Sequence, residues 1–577
     1  MTYKKRPLPI GVDDYKDLID EGYEYVDKTL LIKEFWEDKA KVILITRPRR
    51  FGKSMALSML RYFFEKTESS NAYLFEKSNI WKEESFRNLQ GTYPVIYISF
   101  KDVKYNTWEK AYAKLKDVLK NEVDRTLTPL VDQLLRSEKN RYDQLMNFTP
   151  VLDENQVLIN FSGSLQFITQ VYARIHKKQT IILIDEYDSP ITCAYENRSY
   201  DLMTEVIRAI FSSSLKGNEH LQRGFMTGVV RTSKDGILSG LNNISIHTML
   251  DFQFSDKFGF TELEADGLLE KFNYLDKKEE LKSWYNGYVV GSKHSFSCRI
   301  YNPWSVLGYI KNFCKPEAYW VNTGSTTLLE RLISEADERT QNELRLLIGG
   351  GCLENKEINQ DVILLDLDKK NIEPWSFLLF AGYLTAVNHV FLDKRNYYTL
   401  TVPNEEIAGL YKELVVSSIN RTFDSSKLKK LMEAVITGNA NDVGLLLQEF
   451  LVSLCSFHDL PHRDLENSLH MFVLGLLASL SERYVIKSNL ESGDGRYDIM
   501  MHPKRAGDAA ILMEFKKAKD QDLEKLADQA LEQIKISKYE SALRDYGYKG
   551  QVFCYGIACF KKQLLTKMES IFMSCKL

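Results

Sequence analysis

The stretch Val42-Ile43-Leu44-Ile45-Thr46-Arg47-Pro48-Arg49-Arg50-Phe51-Gly52-Lys53-Ser54 sets an apolar, β-branched run directly before a polar turn and a Gly-Lys-Ser step. Beyond it, Met55, Leu57, Met59, Leu60, Tyr62, Phe63 and Phe64 lay a broad apolar face at helical spacing. A bare Gly-Lys-Ser is common by chance and reads as a surface turn. A strand before it and a helix after it make it a phosphate-binding loop. In such a loop Gly52 lets the backbone approach a polyanion, and the amides that open the helix point at phosphate oxygens. Lys53 would reach the β and γ phosphates of ATP and Ser54 would set its hydroxyl on Mg²⁺, with Arg49, Arg50 and Phe51 completing the nucleotide-binding turn. Arg47 departs from the G-x-x-x-x-G-K-S pattern, standing where the first glycine belongs.

A second apolar run, Thr180-Ile181-Ile182-Leu183-Ile184, ends in Asp185-Glu186-Tyr187-Asp188, roughly 130 residues after the loop. Acids can simply terminate a buried strand, and Ser189-Pro190 has the form of a helix cap and first turn. Taken with Lys53, the pair reads as a Walker B strand: Asp185 would hold Mg²⁺, and Glu186 would orient and polarise the water that attacks the γ phosphate. A third run, Gly224 to Val230, ends at Arg231, and either Thr227 or Arg231 is placed to sense that phosphate.

At 577 residues the chain is too long for one ordinary core, and length alone suggests three or four domains. Hydrophobic residues make up 44% and aromatics 12%, a globular composition. No apolar run approaches the roughly 18 to 20 residues of a spanning helix, and the nearest, Met471 to Leu480, is far too short, so no membrane association is expected. No apolar segment follows the basic N-terminal residues, and eight cysteines without a C-x-x-C pair fit reduced thiols, so a cytoplasmic protein is expected. The net charge of −3 argues against a bulk polyanion binder; nucleic-acid contact would be local, with basic clusters at Arg47, Arg49 and Arg50 and at Lys516, Lys517 and Lys519.

The expected fold class is α/β. Residues 1–270 read as a three-layer P-loop ATPase unit, with parallel strands near Lys41–Thr46, Pro94–Phe100, Thr180–Asp185 and Gly224–Val230 and a helical insertion from Leu115 to Phe167. Residues 271–410 read as a mostly helical, winged-helix-like middle region. Its aromatic clusters, Trp284-Tyr285-Asn286-Gly287-Tyr288, Tyr301-Asn302-Pro303-Trp304 and Tyr319-Trp320, are expected to pack rather than to stack on bases.

Residues 411–577 carry the second chemical signal. Gly495 to Met500 and Ala510 to Lys516 predict a hairpin, and period-two alternation sets Glu514 and Lys516 on one face with Phe515 opposite. With Asp498 across from them, two carboxylates would converge on Mg²⁺ or Mn²⁺, and Lys516 would activate water or offset charge on the phosphorane. Glu466, on a helix predicted upstream through His470, Leu474, Leu477 and Leu480, would bring a further acid to the metal, and Gln533 on the following helix would face the site. The spacing alone fits an ordinary salt bridge between Glu514 and Lys516 equally well. His458 and His462 mimic a zinc spacing, but Pro461 disrupts the helix they would need and a third soft ligand is missing.

Over nearly its whole length the chain resembles the bacterial family that joins an AAA-like ATPase domain to a C-terminal PD-(D/E)XK nuclease-superfamily domain. The resemblance rests on Pro9-Ile10-Gly11, Tyr25-Val26-Asp27-Lys28-Thr29, Arg47 through Ser54, Asp185 through Asp188, Ser239-Gly240-Leu241-Asn242-Asn243 and the two aromatic motifs at 284–288 and 301–304. In the C-terminal part it runs through Glu466, His470, Gly475-Leu476-Leu477, Asp498, Glu514-Phe515-Lys516 and Ala530 to Ile534. It implies Arg47 as the expected residue of its loop and a restriction-endonuclease-like C-terminal fold; Tyr497 replaces the nominal proline before the aspartate. The expected function is an ATP-regulated nuclease acting on DNA in preference to RNA, with self-assembly in keeping with the AAA-like resemblance. The alternative is a signalling or scaffold ATPase whose C-terminal domain only binds; weak acidity gives a translocase no support.

Overall fold

The computed structural model describes residues 6–147, 158, 160–197, 199–231, 243–293, 297–321, 327–334, 338–348, 350–361, 373–422, 425–457, 473, 477, 480, 483–492, 495–505, 507–517, 522–536, 543–544, 547–560 and 563–573. Glu466, His470, the His458/His462 pair and the Ser239–Asn242 segment lie outside them. Two compact units form, residues 1–336 with 352–408, and residues 337–351 with 409–577. Among the described residues no helix is long and apolar enough to cross a membrane.

The first unit is built on a parallel sheet of β1 (Val42–Thr46), β2 (Val95–Ser99), β3 (Thr180–Asp185), β4 (Leu221–Gly228) and β5 (Ile244–His247), in the order β2-β3-β4-β1-β5. β1 and β3 are buried along their whole length, which explains their unbroken apolar runs: both faces are covered by helices. On one face, Leu57, Leu60, Phe63 and Phe64 of helix Lys53–Phe64 join Leu31, Ile32 and Phe35 against Ile43, Ile45, Leu183 and Phe225. Because all five strands run parallel, their C-terminal ends share one edge, where ligands bind in such sheets. The long helical insertion comprises Trp108–Leu127, Arg136–Met146 and Ser164–His176.

Two small antiparallel sheets complete this unit. One has the order β6-β8-β7, from Phe260–Thr261, Tyr288–Val290 and Cys298–Tyr301. The other places β10 (Thr385–Leu392) and β11 (Arg395–Thr401) as a wing hairpin beside β9 (Leu353–Glu357), after helix Trp375–Ala381.

The second unit holds a mixed sheet, β12 (Tyr484–Ser492), β13 (Gly495–Pro503), β14 (Ala510–Lys517), β15 (Gly550–Phe560) and β16 (Gln563–Met573), paired in sequence order with only β14 and β15 parallel. Period two divides β14 between two cores. Ile511, Met513 and Phe515 face a layer with Leu431, Val435, Val443 and Leu447, whereas Ala510 and Leu512 face Leu531 and Ile534 of helix Leu523–Ile536. That helix sits so close to the sheet that a Cβ on Gly556 would lie 2.3 Å from the carbonyl oxygen of Ala527. Gly556 is the register partner of Glu514, so the same close approach positions the acid strand. Replacing Gly556 by Ala is expected to cost about 2 kcal/mol or more through forced separation of helix and sheet, read as a lowered thermal transition of the full chain.

Candidate functional site

Gly52 precedes helix Lys53–Phe64 in the left-handed region at φ 84°, where a side chain would be strained. This turn aims the opening amides of a twelve-residue helix outward from the C-terminal edge of the sheet. Lys53 is buried and folds back on the loop, donating from Nζ to the carbonyls of Arg47 at 3.0 Å and Pro48 at 2.8 Å. Burial pulls its pKa down, and the nearby Glu186, Asp185 and Asp188 oppose that pull.

Ser54 and Asp185, the acid that closes β3, meet directly. Ser54 Oγ donates to Asp185 Oδ2 at 2.7 Å, and Thr227 Oγ1 donates to Asp185 Oδ1 at 2.7 Å from the neighbouring strand β4. Ser99, the register partner of Asp185 on β2, stands 3.5 Å from Oδ2. Burial raises the Asp185 carboxyl above its ordinary range, against the two hydroxyl hydrogen bonds. Glu186 occupies a left-handed backbone position at φ 49°, uncommon for a residue with a side chain. It pairs with Lys104 at 3.2 Å; burial alone would raise its pKa, but Lys104, Lys53 and Arg49 bring it below the ordinary value. Asp188 turns inward and accepts the amides of Val229 at 2.9 Å and Val230 at 2.8 Å, tying the end of β4 to the acid turn. Arg231 pairs with Asp361 at 2.7 Å.

Arg47 does not face the phosphate side. Fully buried, it donates to the carbonyls of Thr46 at 2.8 Å, His247 at 3.3 Å and Phe254 at 3.3 Å, with its guanidinium 5.7 Å from the Phe258 ring centre. Burial lowers its pKa to about 10, still leaving it charged at neutral pH. The loop is thus fastened by a side chain where a glycine would leave it free. The turn is also braced from the aromatic motifs: Phe51 meets Tyr288 edge-on at 5.1 Å, Arg50 lies 4.2 Å over Trp304, and the Arg49 carbonyl accepts from Trp320 Nε1 at 2.9 Å.

In the second unit, the paired backbone of β13 and β14 runs from Met501–Ile511 to Ile499–Met513, and the amide of Phe515 then donates to Asp498 Oδ2 at 2.7 Å. Asp498 is thereby held beside Glu514. Glu514 is only 2% exposed, receives Lys516 Nζ on Oε1 at 3.0 Å, and leaves Oε2 buried without a hydrogen-bond partner. Burial, then repulsion from Asp498, push its pKa up to about 7, with Lys516 opposing. An orphaned carboxylate oxygen next to a second carboxylate is a donor pair that suits a hard divalent cation. Among the described residues no group of three or more metal-ligating side chains is assembled, and Glu466 lies outside them. Gln533, on helix Leu523–Ile536, is half-buried.

Residues 9–238 match the family model of predicted AAA-ATPases, and residues 464–569 match the PD-(D/E)XK nuclease superfamily. The chain joins an AAA-like ATPase domain to a PD-(D/E)XK nuclease-superfamily domain. An Azotobacter chroococcum mcd 1 protein, described only as an uncharacterized protein in the vnfD 5' region, is 25% identical over 419 residues, covering 71% of this chain and 70% of its own length. A structural match to the Walker-type ATPase PABY2304 of Pyrococcus abyssi covers 71% of this chain and all of that one, at 14% identity and a TM-score of 0.34.

Lys104, Asp188, Asn302 and Trp320 are absent from the sequence-derived site. Lys104 follows β2 by five positions, on the edge where every loop of a parallel sheet emerges, and that placement was the available signal. Two outcomes follow. Arg47→Gly, which restores the missing loop glycine, is expected to destabilise the ATPase domain by about 2–4 kcal/mol because three buried carbonyls lose their donor, measured as a lower melting temperature. Glu514 must lose its proton to bind metal, so Mn²⁺ affinity of the full chain, followed by calorimetry, should fall about tenfold per pH unit below about 7 and level off above it.

Proposed function

We propose that the protein is a nucleotide-regulated, metal-dependent nuclease with DNA as its preferred polymer. The observation that carries this reading is the unbonded, buried Oε2 of Glu514 beside Asp498, with Lys516 on the same face. Within it, residues 1–270 form the ATPase domain, 271–410 the connecting region and 411–577 the nuclease domain.

In the ATPase domain, Lys53 would exchange its two carbonyl partners for β- and γ-phosphate oxygens, and the opening amides of helix Lys53–Phe64 would receive the polyphosphate. Ser54 and Asp185 would hold Mg²⁺, Arg49, Arg50, Phe51 and Gly52 would shape the cradle, and Thr227 fixes Asp185. Glu186 stays ionised beside Lys104 and is the base that orients water, and Arg231 is a second candidate to sense the phosphate.

In the nuclease domain, Asp498 and Glu514 would hold Mg²⁺ or Mn²⁺, which when bound polarises a phosphodiester oxygen and supplies a nucleophilic hydroxide. Lys516 sits 3.0 Å from Glu514 and is positioned to stabilise negative charge developing on the phosphate. The second reading, an ATPase switch whose C-terminal domain only binds a partner, is favoured by that same ion pair, which then serves structure alone.

The deciding experiment incubates supercoiled plasmid, single-stranded DNA and RNA with purified protein and Mg²⁺ or Mn²⁺, with and without ATP. Glu514→Ala is expected to reduce cleavage roughly hundredfold or more, and Lys53→Ala to abolish the response to ATP while leaving metal binding intact. Cleavage unchanged in Glu514→Ala overturns the nuclease reading; ATP turnover without any cleavage moves the protein to the switch.

A further inference from the structure

The phosphate loop and the helix that leads out of the ATPase-containing unit are gripped by the same side chains. The Arg49 carbonyl accepts Trp320 Nε1 at 2.9 Å and Asn302 Nδ2 at 3.3 Å. The backbone amide of Trp320 in turn donates to Glu406 Oε1 at 2.6 Å, and Ser305 Oγ donates to Oε2 at 2.7 Å. Trp304, under the Arg50 guanidinium, donates its Nε1 to the carbonyl of Tyr319 at 3.1 Å, so the 319–320 segment is held from the loop side twice. Glu406 is 1% exposed and lies in the first turn of helix Glu405–Thr422. The division into compact units falls after Ala408, so the chain passes along this helix from the first unit to the second.

Nucleotide binding has a reason to disturb this chain of contacts. On the ATP-site reading, polyphosphate would draw Lys53 away from the carbonyls of Arg47 and Pro48, which directly precede the Arg49 carbonyl. That carbonyl cannot turn without straining or breaking its bond to the Trp320 indole, and a Trp320 shift changes what the buried Glu406 carboxylate accepts. A ligand moves an equilibrium only through contacts that differ between two states, and these hydrogen bonds are such contacts. We infer that Trp320 and Glu406 form a lever through which nucleotide at Lys53 alters the opening turns of helix Glu405–Thr422. The inference rests on the ATP-site reading above and gives the regulation within it a physical carrier. Trp320 and Glu406 are positioning residues in this scheme; neither touches the reacting atoms.

Hydrogen exchange of the full chain, with and without a non-hydrolysable ATP analogue and Mg²⁺, tests it. In the wild type, peptides spanning 405–422 should change their exchange rates at least about threefold on binding. Trp320→Phe removes the indole donor, and Glu406→Gln presents an amide N–H to one of the two donors. Glu406→Gln should bind the analogue within about threefold of wild type, and both variants should lose most of the response at 405–422. Glu406→Gln keeps shape and volume, so it decides the matter where Trp320→Phe folds poorly. A 405–422 response that survives in Glu406→Gln, or a wild type that binds the analogue with no change there, overturns the lever alone. A wild type that binds no analogue removes the ATP-site reading as well.

Discussion

The carboxylate of Asp185 is the point on which the ATPase domain closes. At the end of a fully buried strand, it receives one hydroxyl from the phosphate-loop helix and one from β4, joining three pieces of chain that are distant in sequence. A buried carboxylate is tolerated when its oxygens are hydrogen-bonded, and here both are. The same geometry sets the chemistry. Ser54 and Asp185 are held together by a direct hydrogen bond, so any group that engages both finds their oxygens already gathered.

Around that centre the loop is held by side chains where glycines would leave it loose. Arg47 ties the loop backward to the carbonyls of Thr46, His247 and Phe254, while Phe51, Arg50 and the Arg49 carbonyl are braced by Tyr288, Trp304 and Trp320. A buried arginine is costly unless its donors are met; here both terminal nitrogens reach carbonyls, while Nε is left without a partner. The result is a loop whose shape is set by contacts reaching it from outside its own residues.

Much of this was legible because it is local. A strand, a turn and a helix in succession show themselves as apolar run, polar break and 3.6-residue periodicity, and the same holds for the acids closing β3 and for the Glu514–Lys516 alternation on β14. The position of Asp498 across from Glu514 followed from hairpin logic, although the hydrogen bond from the Phe515 amide to Asp498 did not. What escaped is what only folding brings together. Lys104 meets Glu186 across 82 positions, and Trp320 meets the Arg49 carbonyl across 271. No periodicity encodes either contact. The aromatic motifs announced packing, and the partner they pack on, the phosphate loop itself, is a tertiary fact.

The two candidate sites bury a carboxylate in different ways, and the difference bears on how each waits for its ligand. Asp185 has both oxygens satisfied by hydroxyls, one from Ser54 and one from Thr227. Glu514 has one oxygen paired with Lys516 and one with no partner, and burial with repulsion from Asp498 pushes its pKa up to about 7. A bare, buried carboxylate oxygen of this kind is chemically suited to a hard cation. Glu514 thus leaves unmet a demand that Asp185 meets with neighbouring hydroxyls.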